Sequence, residues 1–386
     1  MKGEKEIKNL ADVCEVFADG DWIESKDQSS DGIRLIQTGN VGTGSFKDRS
    51  EKARYISEAT FDRLRCTEIF EGDCLVSRLP EPVGRSCLLP CTGERMITAV
   101  DCTILRFDSS QILPRFFNLY SQSFDYLAIV AKACTGTTRT RISRSNLGLI
   151  PVPIPPLPEQ QRIVALLDEA FEALATAKAN AEQNIQNARA LFESHLESVF
   201  SQGGEGWTET TLDKISTNLD SQRIPVTKSL RESGEFPYYG ASGIVDYVAD
   251  YIFEGDNLLI SEDGANLLAR STPIAFSVSG RYWVNNHAHI INFERMATQR
   301  FVEFYLESIK LDEYITGAAQ PKLNQKALNS IPIPIPESIE AQAEIVKTLE
   351  SLQAETQRLT SIYDRKRAAL EELKISLLHQ AFNGEL

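Results

Sequence analysis

The chain has 386 residues, of which 42% are hydrophobic and 24% charged, and its formal net charge is −14 at pH 7. This length is sufficient for two or more domains with their own cores, and the acidic total argues against a generally basic nucleic-acid binder. No apolar run approaches the length of a membrane span and no signal-peptide pattern begins at Met1, so we expect a cytoplasmic protein.

Cysteine usage fits a reducing compartment. All seven cysteines lie in the first 134 residues, and their odd number without a secretion signal favours free thiols. Cys87 and Cys91 could suggest a metal pair, but no second cysteine pair follows and the four histidines lie far away in the sequence. We therefore expect no metal site.

The first 155 residues predict a globular region of mixed α/β structure with many short strands. The stretch Gly32–Phe46 combines glycine with aromatic and β-branched residues between turn signals. Its glycines, Gly39, Gly42 and Gly44, do not have the spacing of a dinucleotide-binding fingerprint, and no periodic helix follows at once. Nucleotide binding is therefore disfavoured.

A basic loop lies near the end of this region. The charged residues from Lys132 to Arg144 are all basic, and the next acid is Glu159. Arginine can bind O6 and N7 of guanine with two hydrogen bonds, and the hydroxyls of "TGTTRTRISRSN" suit phosphates. Arg139, Arg141 and Arg144 therefore indicate DNA binding, with ordinary solvated loop residues as the alternative.

An unusual segment occurs twice in the chain. "LIPVPIPPLPEQQRIV" runs from Leu149 to Val164, and "SIPIPIPESIEAQAEIV" runs from Ser330 to Val346. Because proline fixes φ and has no N–H, each proline run predicts an extended connector or an edge strand. Apolar residues then recur at intervals of three and four, which predicts a helix.

The repeat extends beyond the prolines. Thr135-Gly136 recurs as Thr316-Gly317 at an offset of 181, and Phe200 recurs as Phe382 at an offset of 182. The chain therefore consists of a globular region, a helix, a second globular region and a second helix. The predicted boundaries are 1–155, 156–203, 204–336 and 337–386. Joining the last residue to the first would make the halves equivalent, so we expect the termini to lie close together.

Both predicted helices carry apolar stripes with heptad spacing. Each has roughly 42 residues and a length of about 60 Å, and neither can bury its stripe alone. We expect them to pair antiparallel as a coiled coil with the globular regions at opposite ends, although a generic two-helix spacer would show the same periodicity. The residues expected at helix–helix contacts are Leu167, Leu174, Phe192, Leu349, Leu352, Leu359, Tyr363, Leu370 and Leu377.

The second globular region has the same strand-rich character, but its loop has different chemistry. The segment "TGAAQPKLNQK" offers Gln320, Lys322 and Asn324 at the place where the first copy has arginines. Amide side chains suit adenine. The two regions therefore carry unlike groups in the same position.

Familiar enzyme signatures are not found in the sequence. It has no P-loop, no G-x-S-x-G elbow and no H-E-x-x-H segment. Glu262 and Asp263, beside Gly264, favour a turn over acid–base chemistry. His287 and His289 alternate, which predicts one side of a strand. A pairwise metal site is one alternative there, but a surface facing a base or phosphate, or a satisfied core pair, is favoured.

Several segments, taken together, are similar to one protein family. They are "IPVPIPPLPEQQRIVALLDE" from Ile150, "IPIPIPESIEAQAEIV" from Ile331, "FPYYGASGIVDYV", "EDGAN" and "NNHAHI" in the second globular region, and the closing "LLHQAFNGEL". With the order of the parts, the chain resembles the specificity subunit of type I restriction-modification enzymes over essentially its whole length.

The resemblance implies an α+β fold with two mixed α/β target-recognition domains joined by two long antiparallel helices, pseudo-twofold and cyclic in order. Each domain would read one half of a split site in double-stranded DNA. The helices would set the spacing and dock two methyltransferase subunits, with restriction and translocation subunits joining the complex. The chain itself would be non-catalytic and hold no cofactor, since S-adenosylmethionine, ATP and Mg would be used by the partner subunits.

The expected DNA contacts lie in both domains. Those of the first domain are Gln37, Asn40, Lys47, Thr138, Arg139, Arg141 and Arg144. Those of the second are Tyr238, Tyr239, Ser242, Asn286, His287, Gln320, Lys322 and Asn324. Two other interpretations stay open: a coiled-coil scaffold whose heads bind proteins or small ligands, and an enzyme built around Asp263, His287 or His289.

Overall fold

The computed structural model describes residues 6–136, 140–317 and 319–386. Its contacts divide the chain into two compact units, Met1–Asn180 with Arg365–Leu386, and Ala181–Asp364. The first unit contains the first head (residues 6–155), and the second unit contains the second head (residues 204–336). Each unit also contains part of both long helices. The four-part division drawn from the sequence stays a prediction.

The first head is built from short strands and short helices, followed by a long helix. Its strands are β1 Glu6–Asn9, β2 Cys14–Asp19, β3 Ile33–Ile36, β4 Tyr55–Ile56, β5 Cys74–Ser77, β6 Ser86–Leu88, β7 Met96–Thr98, β8 Cys102–Phe107 and β9 Pro151–Ile154. The helices are α1 Glu58–Leu64, α2 Pro114–Tyr120, α3 Phe124–Ala133, α4 Arg144–Gly148 and the long α5 Leu157–Gln202.

The second head has the same kind of composition and also leads into a long helix. Its strands are β10 Trp207–Thr210, β11 Thr217–Asn218, β12 Ser233–Gly240, β13 Gly243–Val248, β14 Phe253–Glu254, β15 Asn257–Ser261, β16 Ala275–Val278, β17 Arg281–Val284, β18 Ala288–Asn292 and β19 Ile333–Pro336. The helices are α6 Leu212–Ile215, α7 Asn266–Ala269, α8 Met296–Ser308, α9 Gln325–Asn329 and the long α10 Ile339–Asn383.

The main sheets of the two heads have the same strand order, and their second sheets share a parallel pair but contain three and four strands. The main sheet has the order β2-β8-β5-β6 in the first head and β11-β18-β15-β16 in the second. A second sheet contains the parallel pair β3–β7 in the first head and the parallel pair β12–β17 in the second. The duplication predicted from the sequence is therefore confirmed at the level of strand order, and so is the mixed α/β class.

Each proline run forms one strand of a two-stranded antiparallel ribbon. Strand β9 pairs with β1, and β19 pairs with β10. Along β9 the prolines alternate with Val152 and Ile154, whose side chains are buried. A ribbon with one neighbour tolerates a residue that has no N–H, which is why prolines can stand at alternate positions. The expectation of an extended edge is confirmed.

Each head packs against the beginning of one long helix and the end of the other. In the first unit, Phe382 of α10 contacts the rings of Phe116 and Tyr120, with centroids 5.4 and 5.2 Å apart. In the second unit, Phe200 of α5 makes the same pair of contacts, with Phe301 at 5.2 Å and Tyr305 at 5.4 Å. The last phenylalanine of each helix thus occupies an equivalent pocket, as the cyclic order requires.

The long helices contact each other within each unit. In the first unit, Lys178 of α5 forms an ion pair with Glu371 of α10 at 2.5 Å. The Nζ of Lys374 lies 4.9 Å from the ring centroid of Phe171. Because later residues of α5 meet earlier residues of α10, the helices run antiparallel. In the second unit, the end of α5 packs against the start of α10 in the same core cluster.

The residues predicted at helix–helix contacts are all at least partly buried. Leu167 and Leu349 are fully buried, and the other seven predicted residues are half-buried. By contrast, Lys366 and Leu373, which follow Leu359 at intervals of seven residues, are exposed, Leu373 by 47%. A row of buried and half-buried residues lies one position after each of these. Several of its members are polar, so a search for apolar residues does not find it. This row consists of positions 346, 353, 360, 367, 374 and 381.

Both described ends of the chain contact the region where α5 begins. Strand β1 pairs with the segment that precedes α5, with Glu6 opposite Ile154. At the other end, the backbone oxygen of Leu386 accepts a hydrogen bond of 2.9 Å from the Arg162 side chain. This agrees with the predicted proximity of the termini. None of the helices that the structure describes is long and apolar enough to cross a membrane.

Candidate nucleic-acid interface

One loop in each head is closed by the same pair of backbone hydrogen bonds. Thr135 and Arg141 each donate an N–H to the other's carbonyl oxygen, at 2.9 and 3.0 Å. Thr316 and Lys322 do the same, at 2.9 and 2.7 Å. The glycine after each threonine has a positive φ, which explains why the Thr-Gly pair occurs in both copies. Each loop then leads into a short helix, α4 or α9.

In the second head, this loop adjoins three turns that lie far apart in the sequence. The Leu323 N–H donates to the carbonyl of Glu262, and the Glu262 N–H donates to the carbonyl of His287. The Ser261 hydroxyl donates to the carbonyl of Ala241. Residues 240–242, 261–264, 285–287, 316–317 and 319–323 therefore form one continuous surface, which we call the second interface.

The first head repeats the backbone hydrogen bonds of this arrangement. The Ile142 N–H donates to the carbonyl of Arg78 at 3.2 Å, and the Arg78 N–H donates to the carbonyl of Asp101 at 2.9 Å. The Ala99 N–H donates to the carbonyl of Ile36, as the N–H of residue 285 does to residue 239. Residues 36–38, 77–80, 98–101 and the described part of 135–142 form the first interface.

Most residues predicted to contact DNA in the second head lie on the second interface. The exposed ones are Ser242, Asn286, His287, Gln320 and Lys322. The His287 ring Nδ1 lies 2.9 Å from both carboxylate oxygens of Asp263. The Nζ of Lys322 lies 3.1 Å from Glu262. The structure thus brings together side chains from three separate parts of the chain.

Three predicted residues of the second head have structural positions instead. Tyr238 is fully buried, and its hydroxyl is hydrogen-bonded to the backbone of Val226, so it offers no surface to DNA. Tyr239 is half-buried among other aromatic rings. The Asn324 side-chain oxygen accepts a bond from the Ala327 N–H and caps α9. These positions correct the prediction for Tyr238 and give Asn324 a capping role.

In the first head, Arg141 and Arg144 are exposed at the interface loop and at the start of α4. Arg141 forms a long ion pair of 3.6 Å with Asp101, and both side chains are partly exposed. Thr138 and Arg139 lie outside the described residues. Of the predicted arginines, the structure therefore describes Arg141 and Arg144.

The remaining predicted residues of the first head belong to the turn after β3. Lys47 is exposed and Gln37 is half-buried. Asn40 is 8% exposed, because its side chain accepts from the Gln37 N–H and donates to the carbonyls of Lys47 and Asp48. Asn40 therefore holds the turn together, and Gln37 and Lys47 are the side chains that can meet a ligand.

A buried ionic cluster supports the second interface from below. His289 is 1% exposed; its Nδ1 lies 2.5 Å from Asp220 and its Nε2 lies 2.8 Å from the carbonyl of Leu323, a residue of the interface loop. Both ring nitrogens therefore lie within hydrogen-bond distance of an oxygen atom. Strand β18 begins at Ala288, so His287 lies in the preceding turn and does not share a strand face with His289, contrary to the prediction.

The carboxylates of this cluster are held in their charged form. Burial alone would raise the pKa of Asp220, but the bond to His289, the charge of Arg223 and the bond from the Ile290 N–H together outweigh this and hold the pKa below its ordinary value. Burial acts on Glu262 in the same way and is outweighed by Arg223 and Lys322, so its pKa is also lowered. Asp220, Glu262 and His289 have the composition of a metal-binding group. Their oxygens are already occupied by Arg223, Lys322 and His289, which favours a structural role.

The first head has a related cluster with the opposite charge at its centre. Arg78 occupies the place of Glu262, because its N–H and carbonyl make the equivalent backbone bonds. Its Nε lies 3.4 Å from Asp19, which also accepts a bond from Thr103. The backbone of the interface is thus repeated, while the charges beneath it differ between the heads.

The comparison with protein families agrees with this duplication. The family described as the type I restriction modification DNA specificity domain matches residues 2–186 and 204–365. The two matches together cover most of the chain. The chain belongs to this family.

Individual relatives support the assignment over different lengths. A protein of Haemophilus influenzae named as a type I restriction enzyme specificity subunit is 42% identical over 172 residues, which are 45% of this chain and 42% of that protein. A specificity subunit named MjaX, from Methanocaldococcus jannaschii, is 22% identical over 99% of this chain and 93% of its own length. The chain thus spans less than half of the first relative and nearly all of the second.

Two solved structures have the same fold as this member of the specificity-domain family. A chain from a study of complex assembly and conformational transition of the type I R-M system superposes with a TM-score of 0.80, covering 100% of this chain and 99% of that one at 17% identity. The HsdS subunit from Thermoanaerobacter tengcongensis superposes with a TM-score of 0.61 at 17% identity, covering 99% and 97%. Both likenesses concern the fold.

The structure of this specificity-domain chain also adds residues that the sequence did not suggest. Trp22 is 70% exposed and follows Asp21, which pairs with Ala99 in the first interface. Ile244 and Val245 are about half exposed beside the turn of the second interface. An exposed tryptophan ring is a group on which a base can stack. Only the fold places Trp22 there, because Asp21 and Ala99 lie far apart in the sequence.

Proposed function

We propose that the chain is the DNA-recognition subunit of a type I restriction-modification complex, in which each head reads one half of a split site in double-stranded DNA. One observation supports this more than any other: the same four-segment surface occurs twice, on the same backbone hydrogen bonds, with different side chains. Two copies of one backbone arrangement that carry different polar side chains suit a DNA target with two different halves.

The side chains suggest how the halves differ. The first interface offers Arg141, and Arg144 follows at the start of α4; arginine discriminates guanine through its O6 and N7. The second interface offers Gln320, Lys322 and Asn286, and amide groups can bind N6 and N7 of adenine. We therefore expect guanine contacts from the first head and adenine contacts from the second.

The long helices would carry the partner subunits. Leu191 of α5 and Leu373 of α10 lie at the same position of the repeat, at an offset of 182, and are 68% and 47% exposed. An exposed leucine repeated on each helix suits two copies of one partner protein. We propose that the partners are two methyltransferase subunits and that restriction and translocation subunits join through them.

The chain would contribute no catalytic group of its own. The described cluster Asp220, Glu262 and His289 is engaged in ion pairs, and the exposed pair of His287 and Asp263 lies on the DNA-facing surface. S-adenosylmethionine, ATP and Mg would be used by the partners. The acidic total of −14 is compatible with this division, since partner subunits would supply many of the phosphate contacts.

Single-molecule sequencing of methylated DNA tests this function. The chain is expressed with the methyltransferase encoded beside it, and the methylated motif is recorded for the parent and for Arg141→Gln and Gln320→Ala. Each substitution should relax or alter one half of a split motif and leave the other half unchanged. An unchanged motif in both variants would favour the scaffold interpretation, and loss of all methylation by Asp263→Ala in a folded, assembled complex would favour the enzyme interpretation.

A further inference from the structure

The first head has a basic surface pocket beside its interface. It has a volume of about 370 Å³ and lies between the turn after β3 and the segment 49–54. Gln37, Thr38 and Gly39 form one wall, and Arg49, Lys52 and Arg54 form the other. Because Gln37 and Thr38 also belong to the first interface, the pocket is continuous with that surface.

The pocket owes its existence to an insertion. Strands β3 and β4 are connected by residues 37–54, whereas the corresponding strands β12 and β13 of the second head are joined by residues 241–242. The insertion contains four basic residues and two acidic ones. A short turn in the second head leaves no room for a comparable basic wall.

The three cations of the wall are not neutralised by the protein. Arg49, Lys52 and Arg54 are exposed, and none of them makes an ion pair with a residue that the structure describes. Arg34, which also lines the pocket, differs, since it is paired with Asp48 at 2.5 Å and Glu94 at 2.9 Å. The pocket lining contains no carboxylate. It is therefore a site of positive potential.

A fourth cation lies buried behind the opposite wall. Arg85 is 8% exposed, and its guanidinium donates to the carbonyls of Thr38, Val41, Leu79 and Pro82. Within the described residues it has no carboxylate partner. Burial lowers its pKa, which reflects the cost of holding a charge away from water. An anion seated against Thr38 would offset part of that cost.

We propose that this pocket binds a phosphodiester of the DNA backbone beside the half-site read by the first head. The inference rests on the proposed function and extends it, because it gives the first head a sequence-independent anchor. Arg49, Lys52 and Arg54 supply the counter-charge, and the polar turn after β3 faces the phosphate oxygens.

The geometry of Arg49 gives a variant that keeps the charge. A Cβ built on Gly39 would lie 2.2 Å from an Nη atom of Arg49, so the guanidinium crosses directly over this glycine. Gly39→Ala would displace the end of a flexible side chain without removing a cation. If this variant weakens DNA binding, the position of the Arg49 guanidinium matters and not only the net charge of the head.

The test is DNA binding by the full chain, assembled with its methyltransferase partner, across a salt series. Each of Arg49→Ala, Lys52→Ala and Arg54→Ala should weaken binding to specific and nonspecific duplexes alike. For each phosphate that the variant no longer neutralises, the slope of log K against log salt should fall by about 0.9. The methylated motif should stay the same. Gly39→Ala should weaken binding in the same direction, and Lys26→Ala, whose Nζ is already paired with Glu24 at 2.7 Å, should have no effect.

The outcomes distinguish this inference from the proposed function. If the parent complex shows no site-specific DNA binding, the proposed function fails. If the parent binds but the pocket variants match it in affinity and salt slope, the pocket inference alone is overturned. Calorimetric titration with inorganic phosphate provides the second arm, because phosphate binding that the variants abolish, with DNA binding intact, would make the pocket a small-anion site and also overturn the inference.

Discussion

Gln160 and Gln342 occupy equivalent positions in the first turns of α5 and α10, and each buried amide binds the head that precedes its helix. The Gln160 amide donates to the carbonyls of Gln111 and Pro155 and accepts from the Leu113 N–H, all at 2.8 Å. Gln342 donates to the carbonyl of Pro336 and accepts from the Thr298 hydroxyl. The glutamines therefore fix the direction in which each helix leaves its head.

Replacing either glutamine should destabilise its unit. Gln160→Ala would leave one buried N–H and two carbonyls without their partner, at a cost of about 3 kcal/mol, since each buried group left unsatisfied costs about 1–3 kcal/mol. The melting temperature should fall by several degrees. Gln161→Ala, on the exposed neighbour, should leave it unchanged. Equal melting temperatures for the two variants would show that the amide bonds contribute nothing.

The Asp220–His289 pair should make stability depend on pH. The pKa of Asp220 is lower in the folded chain than its ordinary value of 3.8, so the unfolded chain binds a proton first as the pH falls. The stabilisation is therefore complete well above pH 4 and is lost as the pH falls through the folded pKa. Asp220→Asn should lower the melting temperature at pH 6, and its difference from the parent should shrink towards pH 3.

Differential scanning calorimetry at several pH values measures this difference. Asp256→Asn, on an exposed aspartate of the same head, serves as the control and should track the parent at every pH. A constant gap between Asp220→Asn and the parent from pH 6 to pH 3 would contradict the assignment.

Much of the architecture was accessible from the sequence because it is encoded by local rules. Proline alternation dictates an extended strand, and a change to helical periodicity marks the start of a helix. Because the sequence repeats, each inference about the first copy also applies to the second. The spacing of Thr135-Gly136 and Thr316-Gly317 indicates equivalent positions, and the structure shows them closing two equivalent loops.

The side chains of the interfaces were harder to predict, because strand register and strand ends decide them. Tyr238 and Tyr239 are neighbours in β12, yet the pairing with β17 buries the first completely. The alternation of histidines predicts a strand at His287, but β18 begins one residue later. The basic pocket depends on an insertion whose cations converge only in three dimensions. Such placements follow from tertiary contacts and have no local signal.

Asn324 and Gln320 should separate stability from recognition. Asn324 caps α9, so Asn324→Ala should cost about 1 kcal/mol of stability. It should leave the preferred base unchanged. Gln320 is exposed on the loop, so Gln320→Ala should leave the melting temperature unchanged and alter the second half of the motif. Melting curves and methylation sequencing of both variants check this. If Asn324→Ala alters the motif and Gln320→Ala lowers the melting temperature instead, Asn324 contacts the bases.

The exposed leucines should each govern one partner subunit. Leu191→Glu and Leu373→Glu introduce a charge into an apolar contact and should each reduce the number of bound methyltransferase subunits from two to one. The double variant should bind none. Native mass spectrometry of the coexpressed complex counts the subunits. Glu193→Gln, on an exposed neighbour in α5, is the control. Full occupancy in the double variant would place the docking surface elsewhere.

Helix length should determine the gap between the two halves of the DNA site. Inserting one heptad after Asn180 and one after Asp364, where the contacts divide the chain, lengthens both helices by about 10 Å and preserves their heptad register. At 3.4 Å per base pair, the nonspecific gap should grow by about three base pairs. The bases recognised should not change, since neither interface is altered.

Methylation sequencing of the heptad variant records the gap directly. A rotation of the heads about the duplex accompanies the added length, so a reduced methylation rate at the longer gap is expected as well. A heptad inserted into α5 alone is the matched control, because it breaks the pairing with α10 and should abolish assembly. If the doubly extended chain assembles and methylates with the parent's gap, the helices do not measure the distance between the half-sites.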